Sequence, residues 1–202
     1  MAGTGKGEGK VDRRVLLTKG LIKEAFLELK RAHALADIKV TDLCERAGIG
    51  RGTFYRHYRN MTEVLEEVLD EALSQSSTLA QHLVSMQAPD ASCAGCDMPF
   101  CRFVRENRHY AGIFMDESLT GMIVAHAVAG QKERYKGALA GRSALADDEL
   151  DEVLRFQMSG CLAAVRRHVD ASPAEWQRVQ RVLDAFVLGG TKEALRANRQ
   201  GS

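Results

Sequence analysis

Apolar residues recur at helical spacing along most of this chain, and the pattern is sharpest between residues 40 and 58. Val40, Leu43, Cys44 and Ala47 stand at i, i+3, i+4 and i+7, a stripe that one helix can bury. Gly48 follows where that helix must stop and the backbone must turn through positive φ, which glycine does without a Cβ penalty. Ile49 is then the apolar plug of the turn. A second short helical piece, Arg51 to Tyr58, sets Phe54 and Tyr58 four apart as an inner face. It leaves Arg51, Gly52, Thr53, Tyr55, Arg56 and His57 facing outward.

Downstream, Val64, Leu65, Val68, Leu69, Ala72, Leu73, Leu79, Ala80 and Leu83 continue a helical stripe to about Met86. The stretch A-P-D-A-S-C-A-G-C-D-M-P, with two prolines and a glycine, then breaks helical structure. Helical patterns resume from Phe100 and again from Leu119 to Leu139, with GALAGRSALADDE as a connection. Leu150, Val153, Leu154, Gln157, Met158, Cys161, Leu162, Val165 and Val169 form one late stripe; Val179, Val182, Leu183, Phe186 and Val187 form the last. Between them Ser172-Pro173-Ala174-Glu175 is a capping box with proline at the first helical position. The chain is predicted to be all-α.

The two short pieces around Gly48 have the spacing of a helix-turn-helix. A helix fits the DNA major groove, where arginine can bond guanine O6 and N7 together, glycine permits close approach and hydroxyls donate to phosphates. Arg51 and Arg56 suit base edges, and Thr53 and Tyr55 suit phosphates. Lys39 and Thr41, at the start of the first piece, are further candidates for DNA contact. The plainer reading of the same turn is an ordinary αα-hairpin with a solvated basic face.

The flanking residues favour the first reading. A helix containing Ile22, Ala25, Phe26 and Leu29, then I-x-V-x-D-L ending at Leu43, then A-G-I-x-R-x-T-F-Y-x-H-Y from Ala47 to Tyr58, resembles the amino-terminal domain of TetR/AcrR-type transcriptional regulators. The resemblance covers about residues 12 to 72. It implies a three-helix DNA-binding head, a long fourth helix, and a helical body that dimerises through its two terminal helices and binds an effector. Domain bounds follow: a flexible tail over 1–11, the head over 12–60, and a regulatory and dimerisation body over 61–202. Two positions depart from the family pattern. Lys39 stands where a capping Thr is common, and Met61 where a Lys commonly meets phosphate.

Composition alters this picture in one respect. The 202 residues carry 45% hydrophobic and 27% charged residues with three prolines, ordinary for a soluble helical chain, and a formal net charge of +1. Split at residue 60, the head holds 13 Lys or Arg against 7 Asp or Glu, and the remainder 15 against 20. Positive charge gathers on the part expected to meet phosphate, while the body is acidic. There is no apolar run of the roughly 18 to 20 residues a membrane span needs, and MAGTGKGEGK lacks the apolar core of a signal peptide, so a cytoplasmic protein without membrane contact is expected.

The sensing chemistry has two candidates. Cys93, Cys96 and Cys101 form C-x-x-C-x-x-x-x-C in the broken stretch, and a CxxC turn can point two thiolates at one zinc ion, with a third thiolate and a nearby His completing a tetrahedral site. Cys93 and Cys96 suit a reversible disulfide equally well, and an inert loop is the third reading. Cys44 and Cys161, on apolar stripes, read as small core residues. The other candidate is a small-molecule pocket in the body, lined by Phe100, Phe103, Tyr110, Phe114, Met122, His126 and Phe156. Aromatic residues at this spacing also suit plain core. No cofactor is required on either reading. Without a G-x-S-x-G, H-E-x-x-H, Walker loop or dinucleotide fingerprint, an enzyme is not expected. The expectation is therefore a homodimeric repressor on double-stranded, pseudo-palindromic operator DNA, released by an unknown small-molecule effector. The alternatives are metal or redox sensing through the cysteine loop and, more remotely, a sequence-independent architectural protein or a zinc or redox enzyme.

Overall fold

The computed structural model describes residues 13–75, 99–139 and 146–197, and among these every regular element is helical. In chain order they are α1 (Arg13–Lys30), α2 (Val40–Ala47), α3 (Arg51–His57), α4 (Met61–Gln75), α5 (Pro99–Glu106), α6 (Ala111–Phe114), α7 (Thr120–Leu139), α8 (Asp147–Arg167) and α9 (Pro173–Ala197). Short 3-10 turns lie at Leu35–Asp37, Arg108–Tyr110 and Glu117–Leu119. The chain divides into two compact units, Met1–Val68 and Leu69–Ser202, so α4 begins in the first and ends in the second. The sequence stripe that continues α4 toward Met86 lies outside the described residues beyond Gln75.

The first unit packs α1 against α2 and α2 against α3. Its core is the set of residues that sequence spacing places on one face of each helix: Ile22 and Phe26 from α1, Leu43 from α2, Phe54 from α3, and Val64 and Leu65 from α4, all without solvent exposure. The turn between α2 and α3 closes as the glycine requires. Gly48 sits at φ 66° and ψ 32°, and it is the one residue at positive φ among those described. The Gly48 N–H donates to the Glu45 carbonyl and the Ile49 N–H to the Cys44 carbonyl, the paired bonds that satisfy a helix's last acceptors.

In the second unit α7 and α8 lie side by side, and α5 packs on α8. Ile123, Val124, Ala127 and Val128 of α7 meet a buried row on α8 comprising Leu150, Leu154, Met158, Cys161, Leu162 and Val165. Both late helices start as their sequences specify. Asp147, Asp148 and Glu149 occupy the first turn of α8, where carboxylates complement the helix dipole, and the Glu149 carboxylate accepts from the Ala146 N–H at 2.8 Å. At α9 the Ser172 N–H donates to Glu175 Oε2 at 2.9 Å, and the Glu175 N–H donates back to Ser172 Oγ at 3.4 Å.

Arginines fasten the connections of this unit. Arg166 donates to the Phe114 carbonyl at 2.7 Å, the Asp116 carbonyl at 2.8 Å and Thr120 Oγ1 at 2.6 Å, supplying donors where α6 and the following turn run out of their own. Arg105 donates to the His168 carbonyl and, at 2.9 Å, to the Ala171 carbonyl, with its guanidinium 4.7 Å from the centre of the Trp176 ring.

Two glycines separate conformational from steric effects. A Cβ at Gly48 or at Gly20 in α1 would meet no atom within 4 Å, yet only Gly48 is at positive φ. Gly48→Ala is expected to destabilise the protein by about 1–2 kcal/mol, the cost of a left-handed L-residue, whereas Gly20→Ala should stabilise by up to about 1 kcal/mol from helix propensity. Thermal melts of both variants check this, and shifts of the same sign would refute it.

Candidate nucleic-acid interface

The candidate interface is built on α3, a helix of seven residues. It is fixed from within by Phe54, fully buried, and by Tyr58, whose backbone N–H donates to the Phe54 carbonyl at 2.9 Å and closes the helix. The Phe54 and Tyr58 rings lie 6.0 Å apart at a tilt, and Tyr55 meets Phe54 edge-on at 5.3 Å. With that face committed inward, the opposite one is left for solvent. Arg51, Gly52, Tyr55 and Arg56 are exposed, and Thr53 and His57 are half-buried at its margins. Tyr55 is 58% exposed, a large ring offered to solvent beside two guanidinium groups. Among the described residues neither Arg51 nor Arg56 makes a hydrogen bond or ion pair, so both side chains are available to an external acceptor.

The other DNA-contact candidates sit at the start of α2. Lys39 is the residue preceding the helix, exposed and in extended backbone, and its side chain makes no capping bond, as expected for a residue without an acceptor. Thr41 is half-buried and its hydroxyl donates to Asp42 Oδ1 at 3.0 Å. Met61 is buried at the head of α4, where its apolar side chain adds to the core. Burial pushes the Cys44 thiol above its ordinary pKa, against the opposing charge of Arg51, which leaves it protonated and unreactive.

Several charged contacts behind the interface carried no sequence signal beyond helical spacing. Lys19 Nζ and Lys23 Nζ lie 2.6 and 3.6 Å from the two carboxylate oxygens of Glu67, and Lys19 Nζ stands 5.1 Å from the centre of the Tyr58 ring. Arg46 pairs with Glu28 at 2.7 Å and Arg59 Nε with Glu63 at 2.5 Å. Asn60 Oδ1 accepts from the Glu63 N–H at 3.0 Å, capping α4. The acidic side chains Glu28, Glu63 and Glu67 are thus held by cations of the head itself.

The candidate effector residues fall into two groups. Phe100, Phe103, Tyr110 and Phe114 come together as a buried cluster, with Phe114 meeting the other three edge-on at centroid distances of 5.8 to 6.2 Å. Met122 and His126 lie half-buried on α7, and His126 Nδ1 is 2.8 Å from Asp70 Oδ1. Phe156 is not with them. It stands 67% exposed on α8, where it lines an apolar groove with Val153, Phe186 and Val187, because its position on the helix points away from the buried row of Leu154 and Met158. Cys101 is buried in α5; Cys93 and Cys96 lie outside the described residues. Among the described residues no group of three His, Cys, Asp or Glu side chains is placed to hold a metal ion, and no helix is long and apolar enough to cross a membrane.

A three-helix head whose third helix is packed by two rings and presents arginines to solvent defines a helix-turn-helix protein. Residues 23–68, within this head, match the family model described as bacterial regulatory proteins, tetR family. It is 31% identical over 84 residues to the "Uncharacterized HTH-type transcriptional regulator YxbF" of Bacillus subtilis (strain 168), covering 41% of this chain and 21% of that protein. It is 29% identical over 63 residues to the HTH-type dhaKLM operon transcriptional activator DhaS of Lactococcus lactis subsp. lactis (strain IL1403), covering 31% of this chain and 34% of that protein. The matched segments therefore span only about a fifth to a third of these relatives. A solved structure of the dihydroxyacetone kinase operon activator DhaS shares the fold over 88% of this chain and 97% of its own, with a TM-score of 0.53 at 17% identity.

The Glu67 carboxylate gives the head a pH signature. Burial raises its pKa, but the hydrogen bond and charge of Lys19, the Tyr58 hydroxyl and Lys23 outweigh this and hold it below the ordinary carboxylate range. A carboxylate whose folded pKa is depressed stabilises the fold fully above its unfolded pKa, and that stability is lost as pH falls through the folded value. Glu67→Gln should lower Tm at neutral pH and make the fall in Tm below about pH 4.5 shallower; identical acid limbs in the two proteins would exclude Glu67 from the acid response.

Proposed function

We propose that this protein is a transcriptional regulator that binds a pseudo-palindromic operator as a homodimer, each α3 entering one major groove. The observation that carries this reading is the division of α3 itself: Phe54 and Tyr58 buried, with Arg51, Tyr55 and Arg56 exposed and the two guanidiniums without a hydrogen bond or ion pair among the described residues. Arg51 and Arg56 read base edges, while Thr53, Tyr55, His57, Lys39 and Thr41 meet the phosphate backbone, and Gly52 lets the helix approach closely. The concentration of positive charge on the first 60 residues supports the same assignment.

The dimer is supported by a second feature. Phe156 on α8 and Val182 and Phe186 on α9 are each 67 to 68% exposed, an unusual place for two phenylalanines in the same unit. Gly160, Gly189 and Gly190 beside them leave open space in which another helix can seat closely. Twofold pairing through α8 and α9 covers these side chains and sets two α3 helices one or more DNA turns apart.

Control by a small molecule bound in the body is part of this reading, the effector selecting between dimer geometries that do and do not fit both grooves. Repression is the first assignment. Activation is the second, favoured by the activator function named for the DhaS relative. A reporter driven by the selected operator distinguishes them: deletion of the regulator raises output under repression and lowers it under activation.

Selection of random duplexes by the full chain should enrich an inverted repeat, and enrichment of no sequence would overturn sequence-specific binding. Arg51→Ala should cost about 1–3 kcal/mol on that duplex and relax one base position per half-site. Phe186→Asp should convert a sedimenting dimer to monomer and weaken operator binding with it; a Phe186→Asp protein that remains dimeric removes α9 from the interface.

A further inference from the structure

We propose that Glu67 is a positioning residue for DNA reading: its carboxylate fixes the angle of α3 by holding Lys19 and Tyr58 in one arrangement. This rests on the reading of α3 as the groove-entering helix.

A seven-residue helix with two inward rings can roll about its own axis unless something off that axis stops it. Phe54 lies in the middle of α3 and anchors it at one point. Tyr58 is the residue that closes the helix, so the lever on the roll of α3 is the Tyr58 side chain at its end. That side chain is only 3% exposed, and Lys19 Nζ from α1 stands 5.1 Å from the centre of its ring. Glu67 sets where that ammonium sits. It binds Lys19 at 2.6 Å and Lys23, one helical turn further along α1, at 3.6 Å. One carboxylate on α4 therefore fixes the α1 ammonium that lies over the ring at the end of α3. Taken alone a surface ion pair of this kind contributes little to stability, roughly 0.2–1 kcal/mol; its geometry does more, because it removes a degree of freedom from the helix that must align with base edges.

Electrostatics and positioning predict opposite signs here. Neutralising an acid in a DNA-binding head raises affinity for every duplex if the charge acts only at a distance. If Glu67 positions α3, its loss lowers affinity for the operator and not for random duplex, because misaligned base contacts are lost while phosphate attraction remains.

The test compares the full-length protein with Glu67→Gln and, separately, Tyr58→Leu, which removes the ring beneath Lys19. Binding to the selected operator and to a random duplex is measured over a range of salt, and amide hydrogen exchange of residues 51–58 is measured without DNA. Both variants are expected to bind the operator about tenfold more weakly, the scale of one lost bond to a charged group. Random-duplex affinity should be unchanged or higher, and exchange in α3 faster relative to α2. Parallel shifts on both duplexes, tighter operator binding, or unchanged exchange in α3 would overturn the proposal. Should the unaltered protein bind no duplex, the reading of α3 fails by itself, and exchange still decides whether Glu67 restrains the helix.

Discussion

A helix of seven residues has no stability of its own in water, because nucleation costs more than so few backbone bonds return. The first unit depends on the way α3 escapes this limit. Phe54 is buried completely and Tyr58 almost so, and burying side chains of this size stabilises by about 1.5–3 kcal/mol each. That commitment has a geometric consequence. Two rings four residues apart occupy one face of the helix, so the residues between and around them must point elsewhere. Arg51, Tyr55 and Arg56 are exposed as the complement of what the core has taken. The buried and exposed faces belong to one short element, and neither can be altered without reference to the other.

Charge is sorted by the same packing. The head is rich in both signs, yet Glu28, Glu63 and Glu67 are engaged by Arg46, Arg59 and the Lys19–Lys23 pair. An exposed pair of this type changes stability little, so its physical effect lies in where it leaves the remaining charge. With those acids engaged, Arg51 and Arg56 of the exposed face make no ion pair among the described residues.

What could be read from the sequence was local in origin. The αL turn at Gly48, the capping box at Ser172 and Glu175, the acidic start of α8 and the inward pair Phe54 and Tyr58 each depend on residues within four or five positions of one another. What depends on tertiary partners was not legible. Helical periodicity identifies a stripe without saying what covers it, and Phe156 shares the apolar character of Phe100 and Phe114 while standing on the exposed side of α8. His126 reads as an isolated imidazole in an apolar segment, yet Asp70 meets it from a position 56 residues earlier. Arg105 and Arg166 give no warning at all, since an arginine that reaches backbone carbonyls 50 to 66 residues away has the same sequence context as one in solvent.

Those arginines bear on how the second unit can respond to anything that enters it. Protein interiors are close-packed, so a ligand among Phe100, Phe103, Tyr110 and Phe114 has to displace one of the helices that carry the rings. Phe100 and Phe103 belong to α5, and α5 cannot shift alone. Arg105 is bonded to the carbonyls of His168 and Ala171 and stacked on Trp176, and Arg108 reaches Asp170 at 2.5 Å. These residues are the turn from α8 to α9 and the first turn of α9. Phe114, on the other side of the cluster, is held through its carbonyl by Arg166 near the end of α8. Guanidinium groups therefore link the elements that carry the rings to the two helices that expose Phe156, Val182 and Phe186. The aromatic core and the helices of the apolar outer face are thus joined by polar bonds as well as by the packing of α5 on α8.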